Sequence, residues 1–348
     1  MLKEKEPKYC YDDIKIKPAV ISDISSRSEC ELPSVLPLFT APMDNVVGIN
    51  SFDKYYKNGI IPILPRPVDI QTRIKNSLGW SAYGLKEFEE HFCDPEKKLW
   101  NRHALIDVAN GHMMIIYDLL KRAKSIWGDV LKVMVGNIAN PKTYRVAEEA
   151  GCDYIRVGIG SGKGCITSTC CSIHESMASL ISETYEIKEA MQGKCKIVAD
   201  GGIRDYGHIV TALALGADYV MVGSVFAQML EAEGKVYVGG LEVNRDTVKY
   251  IGQGKFTDKK DNPIELKKIF YGMASGMGQK SIGGCHTKTS EGCVKTLDIK
   301  YTMASWVENM RHYLRSAMSY VGIRKLENFA KESECIIISK STQDSINK

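Results

Sequence analysis

Short apolar runs recur along this 348-residue chain, and each ends in Gly, Asn, Asp or Pro. They are rich in Val, Ile and Leu and lack polar alternation, which is typical of strands buried on both faces of a parallel sheet. We predict seven clear strands and a weaker eighth at 81–85, between the second and third clear ones. The seven runs are 36–42, 59–65, 104–110, 131–137, 154–160, 196–202 and 219–225.

Helix-like segments separate these runs. In 141–150, Pro141 suits the first turn of a helix, and a helix over 206–215 would end at Gly216. A closing helix is expected over 304–325. The later strands follow one another at ~20–40 residues, as in βα units. The pattern favours an α/β fold, the (β/α)8 or TIM barrel.

A doubly wound open sheet is the main alternative. That fold usually carries a GxGxxG turn after its first strand, and none follows the run at 36–42. Candidate functional residues also end many runs here, whereas an open sheet gathers them at one switch point. We therefore expect the barrel.

The strand pattern stops after the last run. Residues from about 231 to 293 are polar, glycine-rich and irregular in pattern. Long insertions in compact domains are usually lids or binding loops. We predict that 1–348 forms a single barrel domain, with a flap-like insertion at about 231–293.

Composition narrows the classes of function. The chain is 44% hydrophobic and 25% charged, as in a globular protein, and its net charge of +4 without a Lys/Arg run gives no support for nucleic-acid binding. No apolar core marks a secretory signal, and no run approaches the ~18 residues of a membrane span. Eleven scattered cysteines without a CxxC pair suggest reduced thiols. We expect a cytoplasmic protein that binds neither nucleic acid nor membrane.

The loop at 158–171, "GIGSGKGCITSTCC", has three possible interpretations. A Walker phosphate loop requires Gly, four residues and then Gly-Lys-Ser/Thr, but here Val157 and Gly164 occupy the first and last positions. A zinc site would need thiols at tetrahedral spacing, which Cys165, Cys170 and Cys171 match poorly. Both interpretations are disfavoured.

The third interpretation is a loop that presents a nucleophile. Glycines let the backbone adopt strained turns, and they would lift Cys165 at a strand end. A thiolate there could attack an electron-poor carbon, and Thr167 could handle protons or position water. The alternative is that Cys165 is only a small turn residue. The residue chemistry alone leaves these two interpretations open.

Two glycine turns, "ADGGIR" at 199–204 and "VGSVFA" at 222–227, end consecutive late strands. The amides of Gly201, Gly202, Gly223 and Ser224 would form an anion-binding nest, the usual phosphate site of such barrels. Asp200 could accept hydrogen bonds from ribose hydroxyls. The alternative is ordinary turn glycines. A nucleotide, a sugar phosphate and a flavin would suit this nest equally well.

Other polar residues at strand ends are weaker signals. Asp107 and Asn137 each end a strand, but Asp and Asn are common in turns. His112 and His174 are expected to be hydrogen-bonded or exposed rather than catalytic.

Taken together, the motifs resemble the inosine monophosphate dehydrogenase and guanosine monophosphate reductase family. Their order and spacing match over nearly the whole chain. The motifs are "YDDIKIKPA" (11–19), "SSRS" (25–28), "APMD" (41–44), "DVANG" (107–111), "VGN" (135–137), "RVGIGSGKGCIT" (156–167), "ADGGIR", "VGSVFA", "FYGM" (270–273) and "SEG" (290–292).

The resemblance implies a TIM-barrel homotetramer that acts on a purine nucleoside monophosphate. Cys165 would attack purine carbon 2, with Thr167 as its proton partner. The implied substrate-binding residues are Lys163, Asp200, Gly201, Gly202, Gly223, Ser224, Gly272, Met273, Ala274 and Glu291, with Met273 and Glu291 facing the base. Asp107, Ala109 and Asn137 would lie near a nicotinamide cofactor, NADPH or NAD/NADH. Carbonyls of Gly160, Gly162 and Cys165 would hold a monovalent cation, K+.

Within the family, several features resemble the reductase. Residues 59–107 leave no room for the dehydrogenases' regulatory tandem domain, and "DVANG", "FYGM" and the ending at 320–338 look reductase-like. No counterpart of the dehydrogenase's water-activating Arg-Tyr pair follows Glu291. Arg156, "ITS" and "APMD" look more like the dehydrogenase.

Two departures from the family pattern stand out. The resemblance places the glutamate that pairs with the reductase threonine at Gly276, so that acid is expected to be missing. Lys163 replaces a serine that touches phosphate; it could reach the same phosphate as a point charge or read an altered nucleotide. Three hypotheses follow: reduction of a guanine nucleotide such as GMP to IMP by NADPH, oxidation of IMP by NAD, and nucleotide binding without turnover. A flavin-binding barrel is a fourth.

Overall fold

The computed structural model describes residues 6–283 and 289–346. Residues 284–288 lie outside the described residues, and with them Cys285. The ten described cysteines are all unpaired, as expected for reduced thiols. Within the described ranges, no helix has both the length and the apolar character needed to cross a membrane.

Eight parallel strands form the central sheet, and they include the weak one predicted at 81–85. β1 (Ile14–Lys17) lies outside this sheet. The eight are β2 (Leu38–Thr40), β3 (Ile63–Leu64), β4 (Trp80–Tyr83), β5 (His103–Asp107), β6 (Lys132–Ile138), β7 (Tyr154–Val157), β8 (Lys196–Asp200) and β9 (Tyr219–Val222). They run in the order β2-β9-β8-β7-β6-β5-β4-β3, and a parallel bridge between Phe39 and Ile61 joins the two ends. The predicted (β/α)8 barrel is confirmed.

Helices follow the strands and cover the barrel. They are α1 (Ile49–Lys57), α2 (Ile70–Lys75), α3 (Leu85–Phe92), α4 (Met114–Trp127), α5 (Thr143–Glu149), α6 (Thr167–Cys170), α7 (Met177–Met191), α8 (Tyr206–Ala214), α9 (Ser224–Ala227), α10 (Gly276–Ser281), α11 (Met303–Val321), α12 (Phe329–Glu332) and α13 (Lys340–Ile346). The helices predicted over 141–150, 206–215 and 304–325 correspond to α5, α8 and α11. Gly216, with φ +110°, lies two residues beyond α8.

The period of two along each strand divides the core into two layers. In β5, Leu105 points into the barrel and packs with Phe39 and Trp80. Its neighbours Ala104 and Ile106 point outward against the helices. Both faces are therefore buried, which explains why the strands read as continuous apolar runs.

The segment expected to be irregular forms two antiparallel sheets. One has the order β11-β10-β15-β16 and the other the order β12-β13-β14. The strands are β10 (Val236–Val238), β11 (Leu241–Val243), β12 (Lys249–Gly252), β13 (Lys255–Thr257), β14 (Pro263–Ile264), β15 (Lys267–Tyr271) and β16 (Val294–Asp298). The last strand, β17 (Glu334–Ile337), pairs with β1 outside the barrel.

The sequence pattern did not predict these strands because burial in β15 does not follow polarity. Lys268 is buried with 1% of its surface exposed, whereas the neighbouring Ile269 is 38% exposed. This inversion conceals the alternation that usually identifies a half-buried strand. The description of the segment as a flap stays a prediction.

Candidate active site

A cavity of about 450 Å³ opens at the carboxyl ends of the barrel strands, where such barrels carry their active sites. Every residue that the sequence assigned to catalysis, substrate, cofactor or cation lines it, from Asp107 and Asn137 to Glu291. Within the described residues, Gly276, His112 and His174 are not among those lining it. The fold therefore brings the predicted site together, although the cavity alone assigns no role to its members.

The glycine-rich loop after β7 runs tightly against the insertion. A Cβ on Gly164 would lie 2.8 Å from the amide nitrogen of Gly272, and one on Gly272 would lie 2.3 Å from the Gly164 carbonyl oxygen. Only glycine at both positions allows this approach. The amide of Cys293 donates to the Gly164 carbonyl at 3.0 Å, and that of Ile166 donates to the Glu291 carbonyl at 2.8 Å. These contacts dock the segment at 291–293 beside the loop.

The docking places a thiol, a hydroxyl and a carboxylate in one hydrogen-bonded chain. The Cys165 thiol donates to Thr167 Oγ1 at 3.2 Å. The Thr167 hydroxyl in turn donates to Glu291 Oε2 at 2.7 Å. A proton on the sulfur thus has a path to a carboxylate, the arrangement that an activated nucleophile requires. These two hydrogen bonds favour the nucleophile interpretation of this loop over that of a simple turn.

Thr167 has an acidic partner although the glutamate expected from the family is missing at Gly276. Gly276 begins α10, and a Cβ placed there would meet no atom within 4 Å. The carboxylate comes from Glu291 instead, which the sequence had assigned only to the base. Spacing along the chain does not reveal which part of an insertion returns to the loop, and so the sequence could not identify the residue that replaces this acid.

Arg156 connects three polar residues of the cavity wall. It is 5% exposed and donates to Asp107 Oδ1 at 2.8 Å and also to Asn137 Oδ1. Its Nε lies 3.4 Å from Asp200 Oδ2, and Asn137 donates to the same oxygen at 2.8 Å. One buried cation thereby orients both carboxylates. In the sequence, Arg156 stood out only as a feature shared with the dehydrogenases. The sequence signal for its contacts with the two carboxylates was a charged residue within an otherwise apolar strand.

Burial governs the charge of Asp200. Loss of solvent raises the pKa of its carboxyl, while the nearby Arg156 and the hydrogen bond from Asn137 oppose that rise. Asp200 Oδ2 already accepts from Asn137. The predicted ribose contact would therefore add to an existing network.

At the predicted phosphate nest, Gly201 and Gly202 have φ angles of +108° and +73°, in the left-handed region that favours glycine. The turn bends the chain after β8 along the cavity wall. One detail differs from the expected nest: the Gly202 amide donates to the Ser161 carbonyl at 3.0 Å, so this amide already has an acceptor. Ser224, at the start of α9, lines the opposite side of the nest.

Lys163 lies at the edge of the same cavity and is exposed. Its carbonyl accepts a hydrogen bond from the Cys293 thiol at 3.5 Å. The side chain is thus free to extend towards an anion held at the glycine turns.

The loop carbonyls proposed as cation ligands already have partners. The Gly160 carbonyl accepts from the Ser168 hydroxyl at 3.0 Å, and the Gly162 carbonyl accepts from the Cys165 amide at 3.0 Å. A carbonyl has two lone pairs, so each keeps capacity for a second contact. Across the described ranges, no cluster of three or more His, Cys, Asp or Glu side chains could hold a metal, which removes the zinc interpretation.

Both histidines set aside from sequence lie outside the cavity lining. His112 Nδ1 lies 3.0 Å from Thr143 Oγ1, and its Nε2 accepts from the Ala139 amide at 3.0 Å. His174 is exposed. The expectation of hydrogen-bonded or exposed histidines is confirmed.

Arg66 is a cavity residue that sequence reasoning missed. It follows β3 and reaches over the end of β4, where a Cβ on Gly84 would lie 2.8 Å from its Nη2. Its Nε is buried without a hydrogen-bond acceptor among the described residues and lies 3.9 Å from Glu87 Oε2. Glu87 is already held by Arg73 at 2.6 Å. The only feature of the sequence that could have drawn attention to Arg66 is its place between two prolines, Pro65 and Pro67.

The fold and the site define a (β/α)8-barrel protein whose chemically competent side chains converge at the carboxyl ends of the strands. The chain belongs to the IMP dehydrogenase / GMP reductase family, whose domain model matches residues 102–347. It is similar to the GMP reductase of Streptococcus pyogenes serotype M4 (strain MGAS10750), with 28% identity over 349 residues and 96% of each chain covered. It is also similar to the GMP reductase of Streptococcus equi subsp. zooepidemicus (strain H70), with 29% identity over 346 residues and 95% of each chain covered. These similarities support an oxidoreductase of purine nucleotides.

Proposed function

We propose that this protein catalyses the reductive deamination of a guanine nucleoside monophosphate, GMP to IMP, with NADPH as the reductant. The observation that carries the proposal is the Cys165–Thr167–Glu291 chain, which lies in one cavity with the glycine turns after β8 and β9. The GMP reductase names of the relatives agree with it.

In the first step the Cys165 sulfur attacks carbon 2 of the guanine. The carbon–sulfur bond forms, the bond to the exocyclic nitrogen breaks, and the amino group leaves as ammonia. The thiol proton balances this step: it passes through Thr167 to Glu291 and is returned to the departing nitrogen. Relays of this kind typically contribute 10²–10⁴-fold to a rate.

The second step requires a reductant. A reduced nicotinamide cofactor, when bound, would supply hydride chemistry at carbon 2. The carbon–sulfur bond would then break, and Cys165 would leave as the thiolate. The residues on the β3–β5 side fit such a cofactor, since the buried Arg66 Nε lacks an acceptor that an anionic group would provide. Asp107, fixed by Arg156, and the neighbouring Ala109 and Asn137 would orient the nicotinamide end.

The other side of the cavity would hold the nucleotide. Lys163 and the turns at Gly223 and Ser224 would bind its phosphate, Asp200 its ribose, and the backbone at 272–274 its base. Because Lys163 is a mobile point charge where the family has serine, we expect it to tolerate variation in the phosphate group.

A monovalent cation and a homotetramer belong to the proposal as family properties. The carbonyls of Gly160 and Gly162 fit a cation through their second lone pairs. A rate that is higher in KCl than in LiCl at equal ionic strength would support the cation, and sedimentation of the full chain would test the tetramer.

The deciding experiment measures NADPH consumption at the nicotinamide absorbance band, together with ammonia release, on addition of GMP. Cys165→Ala is the matched control, since it removes the nucleophile and leaves the cavity otherwise intact. We expect both products from the wild type and neither from the variant. Reduction of NAD on addition of IMP, without GMP turnover, would replace the proposal by the dehydrogenase reaction; tight nucleotide binding without any turnover would replace it by a binding role.

A further inference from the structure

A buried histidine lies directly behind the glycine turn that follows β8. His208 belongs to α8 and is 5% exposed. Its Nδ1 lies 3.1 Å from the carbonyl oxygen of Gly202, and its Nε2 lies 2.9 Å from Asp12 Oδ1. The ring of Tyr11 packs beside it, with ring centroids 5.4 Å apart. The ring thus joins the segment before β1 to the wall of the nucleotide cavity.

Polar groups face both ring nitrogens. Gly202 O lies beside Nδ1 and Asp12 Oδ1 beside Nε2, and both of these oxygens are acceptors. Asp205 Oδ2 lies 3.7 Å from Nε2 and adds a second carboxylate. The competing donor is the Arg204 amide, 3.3 Å from Nδ1, while the Arg204 side chain pairs with Asp12 at 3.1 Å.

The contact with Gly202 has a consequence on the cavity side. The peptide between Gly202 and Ile203 is trans, so its carbonyl and its N–H point in opposite directions. Because the carbonyl is directed at His208, the Ile203 N–H is directed away from the histidine. Ile203 lines the cavity, and its amide has no acceptor within the part of the chain that the structure describes.

We propose that His208 is a positioning residue of the nucleotide site: by holding the Gly202 carbonyl, it aims the Ile203 amide at the phosphate of the substrate. The inference rests on the proposed function only in that it takes a nucleoside monophosphate as the ligand. His208 touches neither the substrate nor the reacting atoms, so its effect is confined to phosphate binding.

Three substitutions separate the two contacts of the ring. His208→Asn places an amide nitrogen near the position of Nδ1 and keeps the Gly202 contact. His208→Gln places one near Nε2 and keeps the Asp12 contact. His208→Leu fills the space and loses both contacts.

The test measures dissociation constants of GMP and of guanosine, which lacks the phosphate, by calorimetry on the full chain. Hydrogen bonds to charged groups are stronger than neutral ones, so weakening one should raise Kd by about ten-fold, which corresponds to about 1.4 kcal/mol. We expect His208→Leu and His208→Gln to raise the Kd of GMP by about that factor and to change the Kd of guanosine less than about two-fold. His208→Asn should bind GMP as the wild type does.

Several outcomes would overturn the inference. Equal losses for GMP and guanosine would indicate a general structural role, and unchanged GMP binding in His208→Leu would remove any role. If His208→Leu does not fold, as judged by circular dichroism, the Asn and Gln variants still decide: recovery by Gln and not by Asn would assign the effect to Asp12. A wild type that binds no GMP at all would instead refute the proposed function.

Discussion

Replacing Glu291 with glutamine tests whether its carboxylate takes part in proton transfer or only contacts the purine base of the substrate. Thr167 donates to Glu291 Oε2 at 2.7 Å and accepts from the Cys165 thiol at 3.2 Å, so the carboxylate is the end of the proton path. A glutamine keeps the size and an acceptor oxygen but cannot take up a proton. The substitution therefore removes proton transfer while leaving Thr167 with a partner.

The expected size follows from the position of the carboxylate. General acid–base groups contribute about 10²–10⁴-fold, and a carboxylate that acts through a hydroxyl should lie near the lower end, about 10²-fold in kcat. That loss corresponds to about 2.7 kcal/mol of transition-state stabilisation. The Kd of GMP should change less than about two-fold, because the residues around its phosphate are untouched.

The assay is steady-state NADPH oxidation with GMP, accompanied by direct measurement of GMP binding. Ser290→Ala is the neighbouring control, since the Ser290 hydroxyl bonds to backbone groups, the carbonyls of Ala274 and Gly292 and the Gly292 amide. Gly276→Glu, added to the Glu291 variant, tests the position that the resemblance aligns with the family's glutamate; it should restore nothing. A Glu291→Gln enzyme within about three-fold of the wild-type kcat would refute the relay, as would a weakened Kd with kcat unchanged.

Three further results are expected. Arg66→Gln should raise the KM for NADPH more than the KM for GMP, and Lys163→Gln should raise the KM for GMP more than the KM for NADPH. The reason is that the two cations lie on different sides of the proposed site. An equal effect on both KM values would contradict this division. Comparing NADPH with NADH in Arg66→Gln separates contact with the 2′-phosphate from contact with the diphosphate. Lys268→Met should raise the free energy of unfolding, since the buried amine has no hydrogen-bond partner among the described residues.

The pH dependence of the Lys268 effect has a definite sign. Burial, followed by the nearby Arg245, holds the pKa of Lys268 well below its ordinary value of 10.5. Between the lowered value and 10.5 the unfolded chain binds more protons than the folded one, so stability rises with pH in that window. The gain from Lys268→Met, measured by urea unfolding, should therefore shrink as the pH rises through this window towards 10.5. A gain that grows with pH would contradict the assignment.

The sequence predicted the barrel well because each of its strands is buried on both faces. Even the weak strand at 80–83 was recognised from its place between its neighbours. The strands of the insertion were not recognised because polarity and burial are reversed in β15, where the charged Lys268 is buried and the apolar Ile269 is exposed. A hydrophobic pattern predicts a strand correctly where the buried residues are apolar, and it fails where a charged side chain lies on the buried face.

The candidate site shows the same division. Cys165 and Thr167 are two residues apart, so their pairing was readable from local spacing. Glu291 is 124 residues from Thr167, and nothing local distinguishes it from other acidic residues of the insertion. Arg66 and His208 gave no motif at all, because a single charged residue has no pattern until its neighbours are known.

By itself, the sequence determined the order of the barrel strands and their helices and the places of the glycine turns, since these follow from local periodicity and residue chemistry. Only the tertiary structure decided which carboxylate meets Thr167, which cation orients Asp107 and Asp200, and which histidine supports the turn at Gly202. The physical reason is that these partners come from distant segments, and barrel closure together with the docking of the insertion sets the distances between them.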